Sequence, residues 1–409
     1  MMDESIGSRI FGDRTVLGEI QKGNGATAGF DYLRFGLAVA VLVWHSIILT
    51  SGSLAVYRAL WSGPFRFLVA AILPMFFALS GFLVTGSLVR TRLHQFAALR
   101  VLRLAPALAV EVTLSALVLG ALFTNLPLRN YLTSPELGGY FGNILGLVHF
   151  TLPGVFEHNR VPRVVNSQLW TIPFELECYV SLAIVSLLMG LRHRRIFVAL
   201  LVLFSLVATA EAVPKNSVSP FAPLQGRVLV VAFLAGVAIH LYRDRIPYSP
   251  LIRVVAAIVS MVLLQSANAA YLAAFPVAYL TVWIGLMRPP KTPFGDLSYG
   301  IYLFHFPLEQ TIAHLFPDIG CWWQMTLVAL PPTLLCAWLS WNLIEQPILS
   351  RKNLILAGVD RGYSTLAELV RPVLQAGERR PAACRSPGDW TVRTGAPPVG
   401  WRQRLLGER

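Results

Sequence analysis

A chain of 409 residues that is 55% hydrophobic and only 13% charged, with a mean hydropathy of +0.60, falls outside the range of soluble domains, where about 45–50% apolar and about 25% charged residues are usual. An ordinary soluble enzyme is excluded, and so is disorder over most of the length; apolar runs near bilayer-spanning length indicate a polytopic membrane protein. The formal net charge is +13, from 34 Lys and Arg against 21 Asp and Glu.

The first 29 residues are polar and Gly-rich with charges of both signs. They lack the apolar core of a cleaved signal peptide, so insertion is expected to rely on the first internal span. Apolar runs of suitable length then predict about ten transmembrane helices, near 33–51, 66–89, 101–126, 170–190, 196–213, 227–243, 251–266, 269–287, 297–317 and 321–345. A further apolar stretch, 141–156, is short and rich in Gly and Pro, and reads as a re-entrant or interfacial segment. The expected organisation is an all-α chain with a cytoplasmic N-terminal segment over 1–32, a membrane domain over 33–347, and a mostly disordered basic tail over 348–409.

Ten spans place both termini on one side. If that side is the cytoplasm, inner segments hold 27 Lys and Arg and outer segments seven, the asymmetry expected of inner loops. The tail alone carries eleven of them and a net charge of +6, suited to anionic lipid or simply to water. Topology thus accounts for the basic balance, and no nucleic acid partner is expected. Cys178, Cys321, Cys336 and Cys384 lie far apart without metal-ligand spacing and are expected to pack as small apolar residues.

Polar groups within spans are costly and are functional candidates, with hydrogen bonding between helices as the rival reading. In the first span, Arg34 and His45 are 11 positions apart and so within about 20° of each other on a helix, with the imidazole roughly 16 Å deeper. Asp31 is about 40° from His45. An imidazole titrates near neutrality and can take a proton from a hydroxyl. Arg100 and Arg103 share a face ahead of Pro106, where paired guanidiniums suit phosphates or serve as positive-inside anchors. Ser80-Gly81 suggests close helix packing more than a nucleophile. Glu175 and Glu177 are about 200° apart and cannot both face one site. His305 lies about eight residues into its span, and Glu345 stands at the end of the last one.

These residues fall into ordered motifs: Asp31, Arg34 and His45; Phe76, Phe77, Leu79, Ser80, Gly81 and Phe82; Arg100, Arg103 and Pro106; Trp170, Glu175 and Tyr179; Ser298, Tyr299, Tyr302, His305 and Pro307; and Glu345 with Pro347. In this set and order the chain resembles the acyltransferase 3 family of integral-membrane acyltransferases, from Phe30 to about Pro347. One departure is Leu176, which separates Glu175 from Glu177 where the family often has adjacent acids.

The resemblance implies transfer of an acyl group, acetyl from acetyl-CoA, to a hydroxyl of a cell-surface saccharide, polysaccharide or lipo-oligosaccharide by a multi-pass protein of the bacterial inner membrane. It implies His45, Glu175 and His305 as catalytic residues and Arg34, Arg100 and Arg103 as the donor-binding set. No metal is expected. Acylation of a macrolide-type molecule is an alternative acceptor chemistry, and a secondary transporter is the rival class, disfavoured because no inverted repeat is detectable. A stand-alone domain, without a fused extracytoplasmic hydrolase-like domain, is expected. No oligomeric state follows from the sequence.

Overall fold

The computed structural model describes residues 14–23, 28–51, 59–189, 193–211, 225–266, 268–292 and 295–378, the side chains of 189 and 366–378 excepted. Among these residues the regular structure is helical, and extended pairing is limited to three isolated bridges. The helices are α1 (Val16–Lys22), α2 (Ala28–Ser51), α3 (Arg66–Arg90), α4 (Leu93–Phe123), α5 (Leu128–Leu132), α6 (Pro135–Tyr140), α7 (Ile172–Met189), α8 (Arg194–Ala210), α9 (Gly226–Leu241), α10 (Pro250–Leu264), α11 (Ala270–Gly285), α12 (Ser298–Leu315), α13 (Trp322–Ser350) and α14 (Lys352–Glu378).

Each apolar window read from the sequence coincides with one of these helices. By length and composition α2, α3, α4, the stretch Ser167–Leu188 that includes α7 up to Leu188, and α13 can cross a bilayer, and α9, α10 and α11 are shorter apolar helices. Large apolar side chains point outward from several of them, including Leu188, Leu200, Ile258, Leu335 and Leu343. A soluble protein buries such residues, whereas lipid solvates them. The protein is an all-α membrane protein.

Close packing in the bundle rests on small residues. A Cβ added to Gly81 on α3 would stand 1.9 Å from the Phe233 carbonyl oxygen of α9, and one on Gly236 would stand 2.0 Å from that of Ala78. Two glycines from facing helices therefore let the backbones of α3 and α9 touch, the packing expected of Ser80-Gly81. Prolines interrupt the ladders of α3, α4, α11, α12 and α13 at Pro74, Pro106, Pro276, Pro307, Pro331 and Pro332. Such breaks persist in membranes when another group satisfies the freed carbonyl. Pro307 leaves the carbonyl of Leu303 without its helical partner, and Gln168 Nε2 donates to that oxygen at 2.7 Å.

Between α4 and α7 the chain builds a cap. The expected re-entrant stretch 141–156 is a 3-10 turn, Phe141–Leu145, followed by irregular chain. Tyr131, Tyr140, Leu152, Phe156 and Leu169 form a buried core with Leu108 and Val112 of α4 and Leu303 of α12. Arg160 clasps the cap to the bundle, donating to the carbonyls of Thr50 on α2 and of Pro317 and Ile319 beyond α12.

At the opposite end α1 docks rather than trailing free, with Val16 and Leu17 donating backbone hydrogen bonds to Ile246 and Arg243. The chain forms two units, Met1–Asp360 and Arg361–Arg409. The tail expected over 348–409 includes the 27-residue helix α14, whose five Leu and three Ala are good helix formers. Residues 379–409, with Cys384, lie outside the described residues. Cys178, Cys321 and Cys336 are unpaired.

Candidate active site

Two helices distant in sequence carry three of the six candidate residues, Arg34, His45 and His305. The stripe on α2 that joins Arg34 to His45 faces the start and middle of α12: Arg34 bonds Asp296 just before α12 at 3.0 Å, His45 meets His305, and Ser46 meets Glu309. Because numbering rises together along both helices, α2 and α12 run in the same direction.

His45 Nδ1 and His305 Nε2 are 2.8 Å apart, and the rings are stacked with centroids at 5.0 Å. The other nitrogen of His305, Nδ1, lies 3.0 Å from the backbone carbonyl of Ile301. A carbonyl only accepts, so a neutral His305 carries its proton on Nδ1 and offers Nε2 as an acceptor. His45 then donates from Nδ1, leaving the lone pair of His45 on Nε2. Phe306 and His45 form a T-shaped ring pair with centroids 5.0 Å apart, and His305 is fully buried.

One turn after His305, the buried Glu309 accepts from Ser46 Oγ at 2.5 Å through Oε1, and its Oε2 has no hydrogen-bond partner. Donor atoms of His45, His305 and Glu309 lie within 4.8 Å of one another, a spacing that a metal ion can also bridge. The hydrogen bond between the imidazoles accounts for their proximity by itself. Sequence reading missed Glu309 and Ser46. The available signal was position: Glu309 is four residues after His305 and therefore on the same helix face.

The arginines gather about a second centre, Asp296, which sequence reading also missed. Arg103 bonds Asp296 at 2.5 Å and Glu345 at 3.0 Å, and Arg34 bonds Asp296 at 3.0 Å and approaches Asp31 at 3.7 Å. Burial pushes the Asp296 carboxyl up, but Arg103, Arg34 and the hydroxyl and amide of Ser298 outweigh it and hold the group at about 2. Glu345 reaches Arg103 from a π turn, Trp341–Glu345, within α13. Two of the three expected donor-binding arginines thus have carboxylate partners.

Arg100 differs from them. Its guanidinium lies over the rings of Phe96 and Tyr179, at 5.7 and 5.8 Å, and its Nε is buried without a hydrogen-bond partner. That orphaned donor between aromatic rings is the feature of this set best suited to an incoming phosphate. Glu175 accepts from Tyr179 at 2.5 Å and lies within electrostatic range of Arg103 and Arg100. Among the described residues it makes no hydrogen bond to either histidine. Glu177 is exposed and lines a cavity of about 410 Å³ with Arg227 and apolar residues of α8 and α9, so the two acids diverge as their spacing requires.

The cap is fastened to α12 on either side of His305. Asn159 donates to the backbone and side-chain oxygens of Gln310, and Gln310 donates to Val161 and Val164. Thr171 and Tyr302 share a hydrogen bond at 2.6 Å, and Tyr302 also donates to the carbonyl of Gln168. The arrangement is a buried imidazole pair whose hydrogen bonds fix the neutral tautomers, separated along α2 from a guanidinium cluster.

A family model described as an acyltransferase domain matches residues 27–342. The chain is similar to a protein of Shigella phage Sf6 called O-acetyl transferase, 26% identical over 348 residues that cover 79% of this chain and 96% of that one. It is also similar to Nodulation protein 10 of Rhizobium leguminosarum bv. viciae, 30% identical over 308 residues that cover 69% of this chain and 83% of that one. No solved structure matches.

Proposed function

The chain belongs to the family of membrane acyltransferases defined by that domain, and on this premise we propose that it moves an acetyl group from acetyl-CoA to a hydroxyl of a cell-surface saccharide. The observation that carries the reading is the hydrogen-bond chain from the Ile301 carbonyl through His305 to His45. It leaves His45 Nε2 as a base held inside an apolar bundle. The name of the phage relative supports acetyl as the group moved.

In this reading Arg100 receives a phosphate of the donor, and Arg34 and Arg103 shape the positive end of the track while anchored on Asp296. Glu175 holds Tyr179 against Arg100. His45 Nε2 takes the proton of the acceptor hydroxyl as its oxygen attacks the thioester carbonyl; the carbon–sulfur bond breaks, and the CoA sulfur leaves with the proton that His45 returns. His305 keeps the His45 ring in the required tautomer throughout.

The parallel run of α2 and α12 supports the proposed topology, since parallel spans are separated by an odd number of others, and ten spans make them first and ninth. With 27 of the 34 Lys and Arg on the side of both termini, that side is assigned to the cytoplasm of a bacterial inner membrane. Donor and acceptor then approach from opposite faces.

The test compares surface glycans of a deletion strain and its parent by mass spectrometry, alongside CoA release in membranes supplied with acetyl-CoA. Loss of one acetyl mass per modified sugar, restored by the wild-type gene but not by a His45→Ala variant, is expected. Unchanged glycans together with acetyl-CoA-independent substrate flux in sealed vesicles would replace transfer by transport.

A further inference from the structure

Glu309 is a fully buried carboxylate that forms no ion pair among the described residues. One oxygen takes the Ser46 hydroxyl and the other has no hydrogen bond. An isolated buried carboxylate is unfavourable unless a positive charge stands near it. From α2 come His45 and Ser46, and from α12 itself His305 with Tyr302 beyond it. Arg160 of the cap forms no ion pair with Glu309, its guanidinium being taken up by the carbonyls of Thr50, Pro317 and Ile319. Among the described residues, the histidine pair is the group beside Glu309 that can become positive during acyl transfer.

We propose that Glu309 is the positioning carboxylate of this site, which holds Ser46 and balances the charge created when His45 accepts the acceptor's proton. This rests on His45 being the base. On proton transfer, Nε2 of His45 gains the hydrogen, the acceptor oxygen keeps the bonding pair and attacks the thioester, and the imidazolium continues to donate from Nδ1 to His305. The positive charge lies on the His45 ring, with Glu309 within 4.8 Å of the pair; when the sulfur leaves with the proton the pair is neutral again. Glu309 touches neither substrate in this scheme. It acts through the imidazoles, as the carboxylate of a hydrolase triad acts through its histidine, although here it stands beside the pair and a backbone carbonyl fixes the tautomer.

The test uses full-length protein in vesicles from the host strain, which contain the acceptor, with acetyl-CoA as the varied substrate and CoA release as readout. Glu309→Gln keeps the shape and an acceptor for Ser46 while removing the charge. Its maximal rate is expected to fall on the order of 10²-fold, with the KM for acetyl-CoA and the melting temperature of the purified protein unchanged. Glu309→Ala is expected to be equally slow and to regain at least tenfold in rate with added formate. A wild-type rate in Glu309→Gln, failure of formate rescue, or a matching loss of thermal stability would overturn the proposal. So would a stoichiometric transition metal in the purified wild type that Glu309→Gln lacks. If the wild-type vesicles release no CoA on acetyl-CoA addition, the transfer reading fails as well, and the two failures are told apart.

Discussion

His45 donates to His305 across 2.8 Å because the Ile301 carbonyl occupies the far side of the His305 ring. Each proton in this chain has one place, so the basic nitrogen of the site is fixed by backbone geometry.

His45→Ala is expected to abolish transfer while the protein remains inserted and abundant, with a loss on the order of 10²–10⁴-fold from the missing base. His305→Ala should retain more activity, because the base survives with its tautomer no longer fixed. Measurement of acetylated glycan at matched protein levels checks both. A His305 variant slower than the His45 variant would reverse their roles.

Arg100→Ala is expected to raise the KM for acetyl-CoA about tenfold with an unchanged melting temperature, and Arg100→Lys to recover part of it, since a point charge lacks the guanidinium fork. Arg103→Ala is expected to lower stability by up to roughly 3 kcal/mol, as Asp296 and Glu345 would lose a shared partner. Donor titrations and thermal unfolding on the two variants separate binding from scaffolding.

Asp296 gives a sign for the response to acid. Its carboxyl is held at about 2 against an ordinary 3.8, so its contribution to stability is complete above pH 3.8 and is lost as pH falls through about 2. The linked energy is about 2 kcal/mol. Asp296→Asn should therefore melt below the wild type in detergent at neutral pH, and the gap should shrink on acidification over that window. A gap independent of pH would assign the loss to packing.

Gly81→Ala should destabilise the bundle by more than the usual glycine replacement, because the added methyl meets the Phe233 carbonyl rather than a side chain that can turn away. A fall of roughly 1–3 kcal/mol is expected from overpacking, read by thermal unfolding. The exposed Gly36, with no atom near its added Cβ, serves as the control.

A reporter fused at Arg351 is expected to behave as cytoplasmic and one near Glu136 as external. Opposite signals would invert the assignment of faces, and matching signals would change the number of crossings between cap and tail.

Much of the bundle was legible because lipid demands long apolar helices, and ten apolar windows therefore stood out as helices. His45 and His305 were each visible as costly polar groups in a span, yet their hydrogen bond joins positions 260 apart and no local spacing announces it. Asp296 was invisible for a different reason: an acid in a loop before a span looks like any solvated charge until Arg34 and Arg103 close on it. The cap resisted reading because its order comes from tertiary clasps such as Arg160 and Gln310, with little periodicity of its own.

The parallel pairing of α2 with α12 has a consequence for biogenesis. His45 enters the bilayer some 260 residues before its partner is synthesised, which at ribosomal rates of about 5–20 residues per second is about 13–52 s. During that time its Nδ1 and the Ser46 hydroxyl await α12, with water, lipid headgroups or a neighbouring backbone as temporary company. A nascent chain stalled before Ser298 would consequently be a bundle with an unsatisfied polar seam, a feature that membrane quality control can recognise.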